Sequence, residues 1–296
     1  MRPASIVGDL GRRDFTINAM AVEITPGSFG VFIDAFDGRD DIAQRRVRVL
    51  HARSFIDDPT RIFRCIRFAT RLGFTIEPQT LDLLRSAVKE RLPAFLTPER
   101  VLYELRLICA EPSVVQTVKA LIREQVLRAA WRWTPPERFV AGMVKLVRNR
   151  VAAELIFIYW LSVLPVTDRF PIRKEERDAA AAVAGFGKVR PRVRRKARPS
   201  EVYKALRSVP EPALQILAVL EAKVVNTKIR AFLDSYSKVR IATTGADLRG
   251  AGLEPGPAYR EILDELLFAR LDGRIRTVTE ERVLLRKLAR EMGSRC

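Results

Sequence analysis

Histidine occurs once in 296 residues, at His51, and cysteine three times, at Cys65, Cys109 and Cys296. That supply cannot assemble a Cys/His zinc site. An odd number of cysteines without framework spacing also excludes a disulfide scaffold, and Cys65 and Cys109 lie within apolar helical patterns expected to bury reduced thiols. Long apolar runs are missing too: Leu155–Leu164 falls far short of the ~20 residues that span a bilayer, so no membrane partner is expected. Charges interrupt the opening residues, and no secretory leader is read there. There is no low-complexity tract or fixed-period repeat. Gly185-Phe-Gly-Lys188 is no phosphate loop, because flanking strand and spacing are both wrong. A reducing, cytoplasmic setting is the simplest expectation.

Negative charge is the other deficit. Lys plus Arg total 53 against 35 Asp plus Glu, a net charge of +18 dominated by arginine. Such an excess favours a polyanionic partner, nucleic acid being the usual one, over a basic surface kept for solubility. The densest basic run contains Lys188, Arg190, Arg192, Arg194, Arg195, Lys196 and Arg198. It reads equally as a solvated linker between helical units and as an RNA contact.

The chain is organised around residues 57–74, DDPTRIFRCIRFATRLGF. On a 3.6-residue period Ile62, Cys65, Ile66, Ala69 and Leu72 share one face, with Arg64, Arg67 and Arg71 opposite. Asp58 before Pro59 reads as an N-cap with proline at the first helical position, and Gly73 as the stop. Asp58 and Arg61 then share the opening turn. A carboxylate only accepts hydrogen bonds and a guanidinium only donates them. Together they match a base edge with an exocyclic amine beside an unprotonated ring nitrogen, as in cytosine and adenine. A plain cap with a salt bridge is the bland alternative.

Before this helix, Phe15–Met20 is a short helical pattern. Val22–Ile24 and Val31–Ile33 form a hairpin turning at Pro26-Gly27-Ser28, and Arg46–Leu50 reads as another strand. Asp34, Asp37, Asp40 and Asp41 form an acidic turn, read as solvated more readily than as a weak metal site. After it the text is helical: from Pro78 to Val88, from Thr97 onward, over 113–133, 137–164 and 173–187, then 200–208, 212–225, 229–236, 243–248, 258–271, and a last helix opened by the capping box Thr277-x-x-Glu280. Trp131 and Trp133 are expected to pack rather than stack on bases. The fold expected is mainly α, with two or three strands left from an α/β head.

Taken in order, RRDFTINAMA (12–21), DAFDGRDDI (34–42), the 57–74 helix, TPERVLYEL (97–105) and TTGADLRGAGLEPGPAYREIL (243–263) resemble the class II tRNA nucleotidyltransferases, the bacterial CCA-, CC- and A-adding enzymes and poly(A) polymerases. The resemblance implies a head remnant (1–54), a nucleotide-selecting neck (55–110), a body (111–198) and a tRNA-binding tail (199–296) in an extended arrangement. It implies nucleotide binding by Arg12, Arg13, Asp14, Asp58, Arg61 and Arg64, with Asp14 accepting from a ribose hydroxyl. Template support falls on Asp57 (where the family usually has glutamate), Glu99 and Arg100. ATP and CTP would be substrates, Mg²⁺ the cofactor, and the acceptor and T-arm backbone of tRNA the partner. At the head–neck connection the usual double glycine reads Asp37-Gly38.

The family's catalytic Asp-x-Asp lies upstream of the RRD segment and has no counterpart in these residues, so no catalytic or metal-binding residue is assigned. The chain alone is expected to be inactive, as a truncated reading frame, a shortened chain or one half of a gene divided in two, with a separate head polypeptide as a further partner. A non-catalytic RNA-binding remnant and part of a poly(A) polymerase remain alternatives. The nucleotide added is not legible.

Overall fold

A computed structural model describes residues 5–165, 167–194 and 196–293. It is mainly helical, as expected, and divides into two compact units, 1–177 and 178–296.

The first unit opens with α1 (Ile6–Leu10), a 3₁₀ turn (Thr16–Asn18) and the hairpin β1 (Ala21–Val22) and β2 (Phe32–Ile33), antiparallel with Ala21 opposite Ile33. Then come α2 (Gly38–Ala43), β3 (Arg46–Val47), α3 (Ser54–Asp57), α4 (Thr60–Leu72) and β4 (Thr75–Ile76). Strand β4 pairs parallel with β3, so α3 and α4 form the crossover between them. This strand is absent from the sequence reading because two residues carry no period. Helices α5 (Pro78–Lys89), α6 (Pro98–Ala110), α7 (Val114–Arg123), α8 (Val126–Trp131), α9 (Glu137–Arg148) and α10 (Ala153–Leu161) complete the packing, and α11 (Lys174–Gly185) runs from the end of this unit into the next. Two stretches expected as single helices, 113–133 and 137–164, are each broken where Gln125 and Arg150 adopt left-handed backbone. Trp131 and Trp133 pack on Phe170 and Phe139, as expected.

Helix α4 is covered on more sides than its period implies. Ile62, Phe63, Cys65 and Ile66 are buried, but so is Arg67, which was read on the outer face, while Leu72 is exposed. Arg67 is tied to Glu104 at 3.5 Å and Glu111 at 3.1 Å. Burial pushes both the Cys65 and Cys109 thiols up, so neither is a ready nucleophile.

The acidic turn is also more than a solvated loop. Asp41 is fully buried and accepts from the Thr16 hydroxyl (2.6 Å), Arg48 Nε (2.8 Å) and Arg46. Burial pushes this carboxyl up, and those bonds more than offset it, holding it below its ordinary range. Asp34 instead caps α2 by accepting from the backbone N–H groups of Gly38 (2.8 Å) and Arg39 (2.9 Å). Asp37 sits at φ 59°, a conformation aspartate tolerates better than most residues. Gly38 is obligatory, because a Cβ there would collide with the Thr16 carbonyl oxygen. The Asp37-Gly38 connection is thus packed directly against residue 16.

The second unit holds α12 (Pro199–Leu206), α13 (Glu211–Leu220), α14 (Lys223–Asp234), α15 (Gly245–Gly250), α16 (Pro257–Leu271) and α17 (Val278–Gly293). Its first apolar cluster takes in Phe186, Val193 and Ala197 beside Val202, Leu206 and Leu214. The basic run is therefore part of a core-bearing segment rather than a linker.

Replacing Asp41 by Ala leaves Arg46 and Arg48 without their shared anion and is expected to cost about 3 kcal/mol. Urea unfolding measures it. The group's lowered value means its stabilisation is present above about pH 4, the unfolded value, and fades as pH falls through the lower folded value. The wild-type acid limb should accordingly be steeper than that of the Ala variant.

Candidate nucleotide-binding site

Three segments meet at the N-terminal end of α4. Residues 12–18 are held against the 46–49 segment by the Thr16 N–H donating to the Arg48 carbonyl (3.0 Å), and Phe15 packs edge-on against Phe68 at 5.7 Å. Asp14 is buried there and all its oxygens are engaged. Oδ1 accepts from the Phe15 N–H and the Asn18 amide, both at 3.0 Å; Oδ2 accepts from Arg64 Nε (2.9 Å) and its terminal nitrogen (2.6 Å). A ribose hydroxyl would have to displace or share one of these bonds, so Asp14 is first of all the anchor of Arg64. Burial pulls the Arg64 guanidinium down, but Asp14, together with Glu104 at 3.6 Å, more than reverses this and keeps it charged.

At the helix start Asp58 is extended (φ −145°, ψ 94°) and Pro59 already helical, the cap-then-proline order read from sequence. Asp58 Oδ1 accepts from the Thr60 N–H (3.0 Å), the Thr60 hydroxyl (2.6 Å) and Arg100 (2.6 Å). Its Oδ2 has no hydrogen-bond partner among the described residues. Arg61 does not bridge Asp58, which removes the bland salt-bridge alternative. It donates instead to Ser54 Oγ (2.7 Å) and to the Arg12 carbonyl (2.9 Å), leaving other guanidinium donors uncommitted.

The result is a cavity of about 520 Å³ lined by Arg12, Arg13, Asp14, Asn18, Asp58, Arg61 and Arg64. All six residues expected to bind nucleotide line it. Asn18 was missed, although its spacing of four from Asp14 was a usable signal. Four guanidiniums against two carboxylates suit a phosphorylated ligand, and Arg12 makes no side-chain bond among the described residues.

The support residues divide. Arg100 does brace Asp58, and Glu99 lines a neighbouring depression with Tyr103. Asp57 lies apart, facing Arg53 (3.5 Å) and His51 (4.0 Å). In the basic run Arg190 is tied bidentately to Glu221 (2.9 and 2.6 Å), and Arg198 lies 3.7 Å from Glu201 and 3.9 Å from Asp272, so these two are partly neutralised. Lys188, Arg192, Arg194 and Lys196 have no side-chain partner among the described residues; Arg195 lies outside them.

The residues present do not fit magnesium. No three His, Cys, Asp or Glu side chains converge among the described residues. Of the two carboxylates of the cavity, Asp14 is fully engaged and Asp58 keeps a single open oxygen, Oδ2, too few donors to hold the ion.

Residues 2–48 match the poly A polymerase head domain. An A-adding tRNA nucleotidyltransferase of Geobacter sulfurreducens is 33% identical over 317 residues, covering 97% of this chain; the chain spans 36% of that relative's length. The structure of the Thermotoga maritima CCA-adding enzyme complexed with tRNA superposes with TM-score 0.81 at 26% identity, over 97% of this chain and 74% of that one. A CCA-adding enzyme in complex with ATP gives TM-score 0.77 at 28% identity, over 93% and 70%. The chain belongs to the class II tRNA nucleotidyltransferase and poly(A) polymerase family.

Replacing Arg64 by Gln leaves the buried Asp14 without its ion partner. Because Arg64 is partly exposed, a loss of about 2 kcal/mol is expected in chemical denaturation. Asp14→Asn, which keeps the acceptor to Asn18, should cost less.

Proposed function

We propose that this chain selects the incoming nucleotide and holds tRNA for nucleotidyl transfer to the RNA 3′ end, while the metal-binding carboxylates come from outside the described residues. The observation that carries this is the convergence of residues 12–18, 54–64 and 100 on one cationic cavity, with a carboxylate oxygen of Asp58 and donors of Arg61 left open. An acceptor and a donor on one rim complement the Watson–Crick edges of cytosine and adenine and oppose those of uracil and guanine. CTP and ATP are the substrates this pair admits, and Arg12 and Arg13 are placed for the phosphates. The residue with a matching role at the ribose is Asn18, whose amide retains a donor besides the one given to Asp14.

Mg²⁺, where bound, would supply Lewis-acid chemistry for transfer to a 3′-hydroxyl, and none of the described residues is assigned to hold it. Its ligands would belong to a complete head. A surface suited to dock that head is present: Val22, Ile24, Phe29, Val31 and Phe32 are all about half or more exposed along the β1–β2 hairpin, and two strands do not make an independent sheet. In this reading 1–54 is the head part, 55–110 the neck, 111–198 the body and 199–296 the tail. The basic residues of 188–198 that lack partners, with Arg195, meet RNA backbone by charge, in a cytoplasmic, reducing setting that suits the buried thiols. Similarity to an A-adding relative favours AMP addition over CMP addition.

Incubated alone with tRNA, CTP, ATP and Mg²⁺, the chain is expected to give no 3′ extension above background, and a supplied head bearing two aspartates is expected to restore it. Clear extension by the chain alone would contradict the division of labour. In the head-completed protein, Arg61→Ala should lower discrimination against UTP and GTP by about tenfold or more, beyond any loss of rate. Unchanged selectivity would return Asp58 and Arg61 to a purely structural role.

A further inference from the structure

The first unit holds a second cavity besides the nucleotide cavity. About 810 Å³ in volume, it lies between the end of α5, the following turn, and the α7–α8 corner. Its charged lining comprises Arg85, Lys89, Arg91, Arg123, Arg128 and Arg132 against a single carboxylate, Glu124. Neither the sequence pattern nor the resemblance singled out these residues, which are spread over 48 positions with no basic run among them.

Three features make this a built site rather than a scatter of surface charge. Glu124 is 6% exposed, and one oxygen accepts from Arg85 Nε (3.0 Å), the other from Arg123 Nε (2.8 Å). Arg91 is held the same way, its Nε donating to the Ala129 carbonyl (3.3 Å). Each of these guanidiniums is therefore fixed through Nε while its two terminal nitrogens have no hydrogen-bond partner among the described residues. That is the arrangement in which a guanidinium can give two parallel bonds to a phosphate. Burial pushes the Glu124 carboxyl up, but its bonds to Arg123 and Arg85 outweigh this and keep it ionised as their anchor.

The backbone supplies the third feature. Of six non-glycine residues with left-handed backbone among those described, three line this one cavity: Arg91 (φ 60°), Gln125 (φ 57°) and Arg132 (φ 54°). Left-handed backbone is unfavourable for such residues, and glycine would relieve it at no steric cost. Here arginine is kept at two of the three positions. Strain retained where a side chain is being aimed points to binding.

The lining offers no aromatic face for a base, and its only apolar side chains are those of Val88 and Ala129. The ligand it fits is a run of phosphates read without regard to sequence. We propose that this cavity binds the phosphodiester backbone of RNA, a contact separate from the nucleotide cavity and from the basic run of the second unit. The inference rests on the proposed tRNA-holding role only in its choice of RNA as the source of the phosphates.

The test uses the full chain without nucleotide or head, so it reads RNA binding alone. Arg128 and Arg132 have no side-chain partner among the described residues, and replacing both by Gln spares the Glu124 anchor. Affinity for a tRNA transcript is measured by fluorescence anisotropy from 50 to 200 mM salt. The Arg128→Gln/Arg132→Gln protein should bind about tenfold more weakly at the lower salt, with the log–log salt slope reduced by roughly two. Lys145→Gln/Arg148→Gln removes the same charge elsewhere in the unit and should change both quantities far less; equal losses in the two proteins would reduce the effect to net charge and overturn the site. Unaltered RNA affinity in the first variant overturns it as well, including the case in which inorganic tripolyphosphate binds the wild type and not the variant, which would assign the cavity to a free polyphosphate. Unchanged thermal melting establishes that each variant is folded, and Glu124→Gln should lower RNA affinity by loosening Arg85 and Arg123. A chain that passes here but shows no Arg61-dependent selectivity once completed with a head loses the proposed nucleotide role and keeps this site.

Discussion

Arg64 on one turn of α4 and Asp14 in the segment far upstream form the bond on which the candidate site depends. Their 2.6 Å contact fixes the RRD segment against α4, and the same guanidinium faces Glu104 on α6. A buried pair of this kind gains little over an apolar contact of equal volume, because removing both charges from water is costly. What it supplies is register. With Asp14 saturated by Phe15, Asn18 and Arg64, the cavity wall can adopt only one arrangement of those side chains.

The same economy governs the whole chain. Buried carboxylates are consumed in fixing arginines: Asp41 for Arg46 and Arg48, Glu104 for Arg67, Glu124 for Arg85 and Arg123, Glu176 for Arg106. Because basic residues so outnumber acidic ones, many guanidiniums remain with free donors after the core is satisfied. Part of the positive charge is thus held in place by the minority of acids, and the guanidiniums so fixed still present free donors to a polyanion.

Much of this was legible in sequence where a local rule governs. Asp58-Pro59 and Gly73 bound the key helix as their capping chemistry requires, and Thr277 with Glu280 closes the reciprocal cap opening α17. The hairpin and six of the residues that line the candidate cavity were also found. What escaped depends on distant partners or on backbone that side-chain type does not announce. Arg67 belongs to a polar stripe yet is buried because Glu104 arrives from α6 and Glu111 from the residue that ends it. Asp41 looked like one more turn acid until Thr16, Arg46 and Arg48 closed around it. The corners at Gln125 and Arg150 interrupt helices without glycine or proline, so periodicity ran straight through them. The arginine-lined cavity has no linear signature at all.

The parallel pairing of Arg46 with Thr75 and of Val47 with Ile76 has a kinetic corollary. It staples together two points separated by the entire α3–α4 crossover, so chain entropy must be surrendered before those few ladder bonds form. Helix α4 can coil on its own within microseconds, but the wall that completes the candidate cavity beside it exists only after that closure. The recognition surface should therefore mature late in folding, on a clock set by topology rather than by helix propensity.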